Sequence, residues 1–206
     1  VFDNLLDFTN SYLMIIILVV SSSFLLFYAM GVHPLVNILA SIGISLSNFT
    51  IISLYAGHNN KVMVMSIVPM TLAGIWLLFE KKKYLLALFI IALSISFQVR
   101  LNHVQITYFM GFLVGIWAIF KLVETIKNKD YKHILISLLI LVLGISLGAV
   151  NNSTQLLTTK EYSEETQRGG PSDVEIAKST TQVASDGVGY EYATSWSYGI
   201  LESFTL

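Results

Sequence analysis

Six apolar runs, separated by short polar turns, limit this chain to very few folds. They lie at about residues 12–31, 35–55, 62–79, 84–99, 104–121 and 133–150. A membrane-crossing helix needs roughly 20 apolar residues, within a range of about 17–25. The apolar character runs all round each segment, which argues against amphipathic surface helices. Short connections make successive helices antiparallel neighbours. The predicted fold is therefore an all-α polytopic membrane protein with about six transmembrane helices. A mostly irregular external C-terminal segment follows them. Composition agrees: 54% of the 206 residues are hydrophobic and 12% charged, with a mean hydropathy of +0.70. That is too apolar for an ordinary soluble domain.

The organisation follows from the same pattern. Residues 1–11 form an external lead with Asp3 and Asp7, read as the end of a truncated external loop. Residues 12–150 form the helix bundle, and residues 151–206 an external loop or lid. The chain starts at Val1 without a methionine and stops inside an aromatic run, so it is expected to be a piece of a longer protein. Lys81, Lys82, Lys83, Lys121, Lys127, Lys129 and Lys132 fall on one side of the bundle. The positive-inside rule places Glu80–Lys83 and Leu122–Lys132 in the cytoplasm. The turns Ala56–Lys61 and Arg100–His103, and everything after Val150, are then external. The fourth run is short unless Gln98 and Arg100 also lie within the membrane. Pro34 suits a helix first turn, and Pro69 is expected to kink the third span. Two glycine pairs, Gly111 with Gly115 and Gly144 with Gly148, are spaced for close helix contact. In the tail, 156–162 is expected to be a short helix. Residues 163–189 read as a loop, and 190–206 as an interfacial strand or aromatic belt.

Chemistry concentrates in two external turns. Gly57–Lys61 reads GHNNK and supplies His58, Asn59, Asn60 and Lys61. Gln98–Gln105 reads QVRLNHVQ and supplies Gln98, Arg100, Asn102, His103 and Gln105, with Tyr108 just beyond. An ionisable side chain at membrane depth costs about 2.5–3.5 kcal/mol on the insertion scale and usually marks a site. Arg100 fits a phosphate clamp, because its planar fork bonds two oxygens at once. Lys61 serves equally as a snorkelling anchor. Arg168 offers a further anion contact or a solvated charge. The two histidines match no metal motif. A divalent ion such as Mg2+ or Mn2+ would need Asp3, Asp7 or Glu161 to complete its shell. His33 and His133 lie at inner helix ends and His58 and His103 at outer ones, which argues against haem. The absence of cysteine excludes thiolate sites and disulfides. No Walker A, GxGxxG, HExxH or GxSxG pattern occurs, and no nucleic-acid partner is expected.

The collinear order GHNNK, RLNHVQITYF, NNSTQLLTTKEY with TQRGG, and YATSWSYG before ESFTL resembles the YfhO family of bacterial membrane proteins. The version is close to those of Bacteroidetes. The resemblance implies a glycosyltransferase of the GT-C class at the bacterial cytoplasmic membrane. Such an enzyme takes a sugar from a polyprenyl-phosphate donor at the outer face and delivers it to an envelope polymer or protein. It implies that Lys61, Arg100 and His103 lie near the donor head group. The catalytic carboxylate would come from the first external loop, preceding Val1 or surviving as Asp3 and Asp7. His103 is the remaining catalytic candidate. A transporter or flippase of a lipid-linked substrate, or a structural subunit of an envelope complex, are the competing readings. Polar groups gathered at one face favour interfacial chemistry over translocation.

Overall fold

A computed structural model describes residues 12–164, apart from the side chains of Leu122, Thr125, Ser163 and Glu164. Asp3, Asp7, Arg168 and the expected loop and strand of the tail lie outside the described residues. The chain forms two compact units, residues 1–153 and 154–206.

Among the described residues the first unit holds seven helices: α1 (Tyr12–Met30), α2 (Pro34–Ser45), α3 (Asn48–Tyr55), α4 (Asn59–Phe79), α5 (Tyr84–Arg100), α6 (Val104–Asn128) and α7 (Tyr131–Val150). No strand occurs among the described residues. Helix α8 (Ser153–Glu164) opens the second unit and covers the short helix expected at 156–162. Among the described residues, five segments are long and apolar enough to cross a membrane: α1, α2 with α3, α4, α6 and α7. Helix α5 is apolar but has 17 residues. It reaches that length only by including Gln98 and Arg100. The chain is a multi-pass all-α membrane protein.

Three boundaries differ from the sequence reading. The second run is not one helix but two, broken at Leu46 and Ser47. Ser47 caps α3 by accepting from the Thr50 N–H at 3.4 Å, and Thr50 Oγ1 donates to the Ile44 carbonyl at 3.4 Å. These hydroxyls satisfy the backbone groups that a break in a span exposes. Helix α6 continues to Asn128, so most of the expected loop 122–132 is helical. Helix α4 starts at Asn59, which puts Asn59, Asn60 and Lys61 in a helical first turn. It runs through Pro69 as a single element.

Each turn between full helices uses one left-handed residue: Gly31, Gly57, Lys82, Asn102 and Lys129. Glycine takes this conformation without strain, and asparagine more readily than most residues. Asn102 therefore has a backbone reason to follow α5.

Helix α4 is the hub and packs on α1, α3, α5, α6 and α7. Its C-terminal third carries the core residues Ala73, Ile75, Leu77, Leu78 and Phe79, which cluster with Ala87, Ile90, Ile91 and Ile95 of α5. Two close approaches hold α5 between its neighbours. A Cβ at Gly74 of α4 would lie 2.8 Å from Ile91, and one at Gly144 of α7 would lie 2.9 Å from the same side chain. Ile91, fully buried, is thus wedged between two glycines. At Gly148 an added Cβ would stand 2.7 Å from the Ala92 carbonyl oxygen. Gly144 and Gly148 act as their spacing predicts. Gly111 and Gly115 do not, because nothing lies within 4 Å of an added Cβ at either. The reason is that their helix, α6, is mostly exposed.

Polar stitches mark the helix ends. His133 Nε2 lies 2.9 Å from the Phe79 carbonyl oxygen, and Nδ1 lies 3.0 Å from the Tyr84 hydroxyl. A carbonyl can only accept, so Nε2 carries the hydrogen and Nδ1 accepts from Tyr84. Asn151 and Asn152 both donate to Ser96 of α5. These asparagines begin acceptor patterns for glycosylation, yet their amide nitrogens are spent fastening α7 to α5. Lys121 of α6 pairs with Glu80 and, at 2.6 Å, with Glu124.

Lys82 and Asp130 pair at 2.8 Å across two turns. The hydrogen bond from Lys82 holds the Asp130 carboxyl below its ordinary pKa, and the same bond raises that of Lys82. The carboxylate's contribution to stability is present above its unfolded pKa and lost as pH falls through the folded one. The amine's contribution is present below its unfolded pKa and lost as pH rises through its raised folded value. The pair therefore acts across the neutral range and fades at both extremes. Both side chains are about half exposed, so salt screens the pair. Asp130→Asn should leave thermal stability at neutral pH almost unchanged. It should also flatten part of the acid-side decline at low salt, as thermal unfolding across acid pH would record. A large loss at neutral pH would contradict this.

Candidate functional site

The turn that carries GHNNK and the turn that carries His103 meet. A hollow of about 730 Å³ is lined by Gly57, His58, Asn59, Asn60, Lys61, His103 and Gln105. The turn before α4 supplies one wall and the turn before α6 the other. Both walls are helix beginnings. The first N–H groups of a helix have no intrahelical acceptor, and the helix dipole makes that end positive. At α4 the His58 side chain makes no capping bond, so it leaves those donors uncovered. Lys61 adds a full positive charge. Its ammonium lies 5.1 Å from the ring centroid of Phe49 on α3, a cation–π contact that gives the side chain a definite position. Two neighbouring helix starts and a lysine give the hollow a positive character that suits an anion.

Two polar atoms of the residues that line the hollow have no partner. Asn59 Oδ1 and His103 Nδ1 are both buried without a hydrogen-bond partner. A buried polar atom left unpaired costs roughly 1–3 kcal/mol. Asn59 Oδ1 can only accept, whereas His103 Nδ1 accepts or donates according to the tautomer, so the two together set no single ligand chemistry.

The other residues singled out from the sequence are placed elsewhere. Gln98 lies in the core, 1% exposed. Its Nε2 donates to Thr71 Oγ1 at 2.7 Å and to Met110 Sδ at 3.3 Å. It links α4, α5 and α6 and does not line the hollow. Helical periodicity explains this: position 98 falls in line with the buried Ile91, Ser94 and Ile95 of α5. Arg100 is exposed at the end of α5, and Asn102 forms the turn; neither lines the hollow. Tyr108 is exposed and packs edge-on to Phe112, 4.9 Å between centroids. Phe49 escaped sequence reasoning because it sits inside an apolar run with nothing to distinguish it. Among the described residues, no three histidine, aspartate or glutamate side chains gather as a metal site.

Protein-family models, curated proteins and solved structures contain no match to this chain.

Proposed function

We propose that the chain is part of a membrane glycosyltransferase that uses a polyprenyl-phosphate sugar at the outer face of the bacterial cytoplasmic membrane. One observation carries the reading: the hollow between the α4 and α6 turns combines a lysine and helix starts, which suit an anion, with asparagine, glutamine and histidine side chains, which suit hydroxyls. A sugar phosphate supplies both. Its phosphate takes the helix starts and Lys61, and its hydroxyls bond the polar side chains of Asn60, His103 and Gln105 that line the hollow. The prenyl chain extends along the apolar helix surfaces. The lysine-rich segments 80–83 and 122–132 then face the cytoplasm.

The chemistry is a single displacement. A carboxylate takes the proton of the acceptor hydroxyl, and the oxygen bonds to the anomeric carbon. The bond from that carbon to the phosphate oxygen breaks, with its electron pair leaving on polyprenyl phosphate. Lys61 and the helix starts stabilise the charge that develops there. Arg100, one turn away, receives the phosphate in an extended pose. The carboxylate is assigned to Asp3, Asp7 or a preceding external loop.

The test is binding of polyprenyl phosphate and of its hexose-charged form to the purified chain in nanodiscs. Lys61→Ala should weaken both by about tenfold, the worth of one charge-assisted contact. His103→Ala should weaken the hexose form selectively. Unchanged affinity for both ligands in Lys61→Ala would overturn the reading.

A further inference from the structure

The end of the bundle opposite the hollow carries more positive charge than it neutralises. Helix α4, 21 residues long and so about 30 Å from end to end, separates the two. Two turns meet at this end, 80–83 between α4 and α5 and 129–130 between α6 and α7. The Lys82–Asp130 pair bridges them at 2.8 Å. His133 of α7 reaches the Phe79 carbonyl and the Tyr84 hydroxyl, on either side of the first turn. The two turns therefore form one surface.

The acidic side chains of these segments are Glu80, Glu124 and Asp130. Each is already paired, with Lys121 or with Lys82. Lys81, Lys83, Lys127, Lys129 and Lys132 are exposed, and among the described residues no carboxylate pairs with any of them. The backbone adds a second sign. Lys129 is held in the left-handed region, at φ 58°, at a helix end where glycine would sit without strain. A strained position filled by a charged residue implies a use for the charge.

What lies below the charges identifies the partner. Lys132 heads an exposed apolar stripe on α7. Leu135, Leu139 and Val142 follow it at three, seven and ten residues, which is one helical face. They are 60–62% exposed. From Lys132 to Val142 the stripe runs about 15 Å, the depth of one leaflet of a hydrocarbon core about 30 Å thick. Lys83 likewise precedes the exposed Leu86 and Phe89 of α5. An acidic protein would match the lysines and leave the stripes unanswered. An anionic head above apolar tails one leaflet long matches both.

We propose that this surface binds an anionic glycerophospholipid, its headgroup over the lysines of the two turns and its acyl chains along the α7 stripe. The site lies at the far end of α4 from the sugar-phosphate hollow and stands if that reading fails.

The experiment adds phosphatidylglycerol or phosphatidylcholine to the full chain, delipidated in detergent. With the same acyl chains, the two lipids differ in headgroup, and only phosphatidylglycerol has a net negative charge. Native mass spectrometry should show phosphatidylglycerol retained at least about fivefold better, the worth of one lysine beside an anionic headgroup. The advantage should shrink as salt is raised. Replacing Lys83, Lys129 and Lys132 together by glutamine should erase it, whereas arginine at the same three positions should keep it. Equal retention of the two lipids by the wild-type chain would overturn the proposal and leave the lysines to an acidic protein. A preference kept in the triple glutamine variant but lost in Lys61→Gln would overturn it too, by placing the lipid at the hollow. The wild-type comparison needs no variant, so it decides even if the triple variant fails to fold.

Discussion

Gly148→Leu should prevent the bundle from assembling. A Cβ at this position stands 2.7 Å from the Ala92 carbonyl oxygen and 2.7 Å from Ile95 Cβ. Both are atoms of α5 close to its backbone, so no rotamer change clears the space. Either α7 moves off α5 or the pairing is lost. Overpacking a well-packed contact costs about 1–3 kcal/mol; a leucine, three carbons larger than the alanine that already clashes, lies at or beyond the top of that range. The displacement also pulls Asn152 away from Ser96 and loses its 3.0 Å bonds. Gly115→Ala is the contrast. It belongs to the same sequence pattern, but an added Cβ there meets nothing. Alanine should be neutral or stabilise the helix by about 0.5–1 kcal/mol. Thermal unfolding of both variants in detergent decides the matter. A Gly148→Leu protein that melts with the wild type would refute the close approach.

Gln98→Glu is the second large effect. The change keeps the shape and replaces the amide by a carboxyl. At 1% exposure an ionised carboxylate would have no cation beside it. The donor bonds to Thr71 and Met110 would be lost as well. An uncompensated buried charge destabilises by about 3–5 kcal/mol. Gln98→Met should behave very differently. Thr71 Oγ1 still donates to the Ile67 carbonyl, and the unpaired Gln98 Oε1 disappears with the amide. Removing both halves of a buried polar contact is often nearly neutral. Gln98→Met should therefore keep both its stability and its affinity for polyprenyl phosphate. Loss of that affinity in a fully stable Gln98→Met protein would return Gln98 to the site.

The site was half legible. GHNNK and the His103 turn stand out because polar residues interrupt apolar runs, and an even number of spans puts them at the same end. The hollow between them follows from that parity. Gln98 belongs to the same polar stretch but points inward, because α5 continues past it and helical phase rules its direction. Asn102 looked like a ligand and serves as a left-handed turn. Phe49, which positions Lys61, carries no mark in the sequence. Neither do the unpaired atoms Asn59 Oδ1 and His103 Nδ1, since whether a polar atom finds a partner depends on its neighbours in space.

The glycines show the same division. Apolar length alone requires helices and a membrane, because an unpaired backbone in hydrocarbon costs several kcal/mol per group. Charge placement orders the turns into two sets. Local composition therefore settles the class, the number of runs and the end at which polar groups collect. It does not say which glycine faces a neighbour. Gly144 and Gly148 meet α5 while Gly111 and Gly115 meet nothing, though both pairs have the same spacing. The break at Ser47 is decided in the same way. Packing is a property of pairs of helices, and a residue's neighbours across the bundle are not encoded in its own stretch of chain.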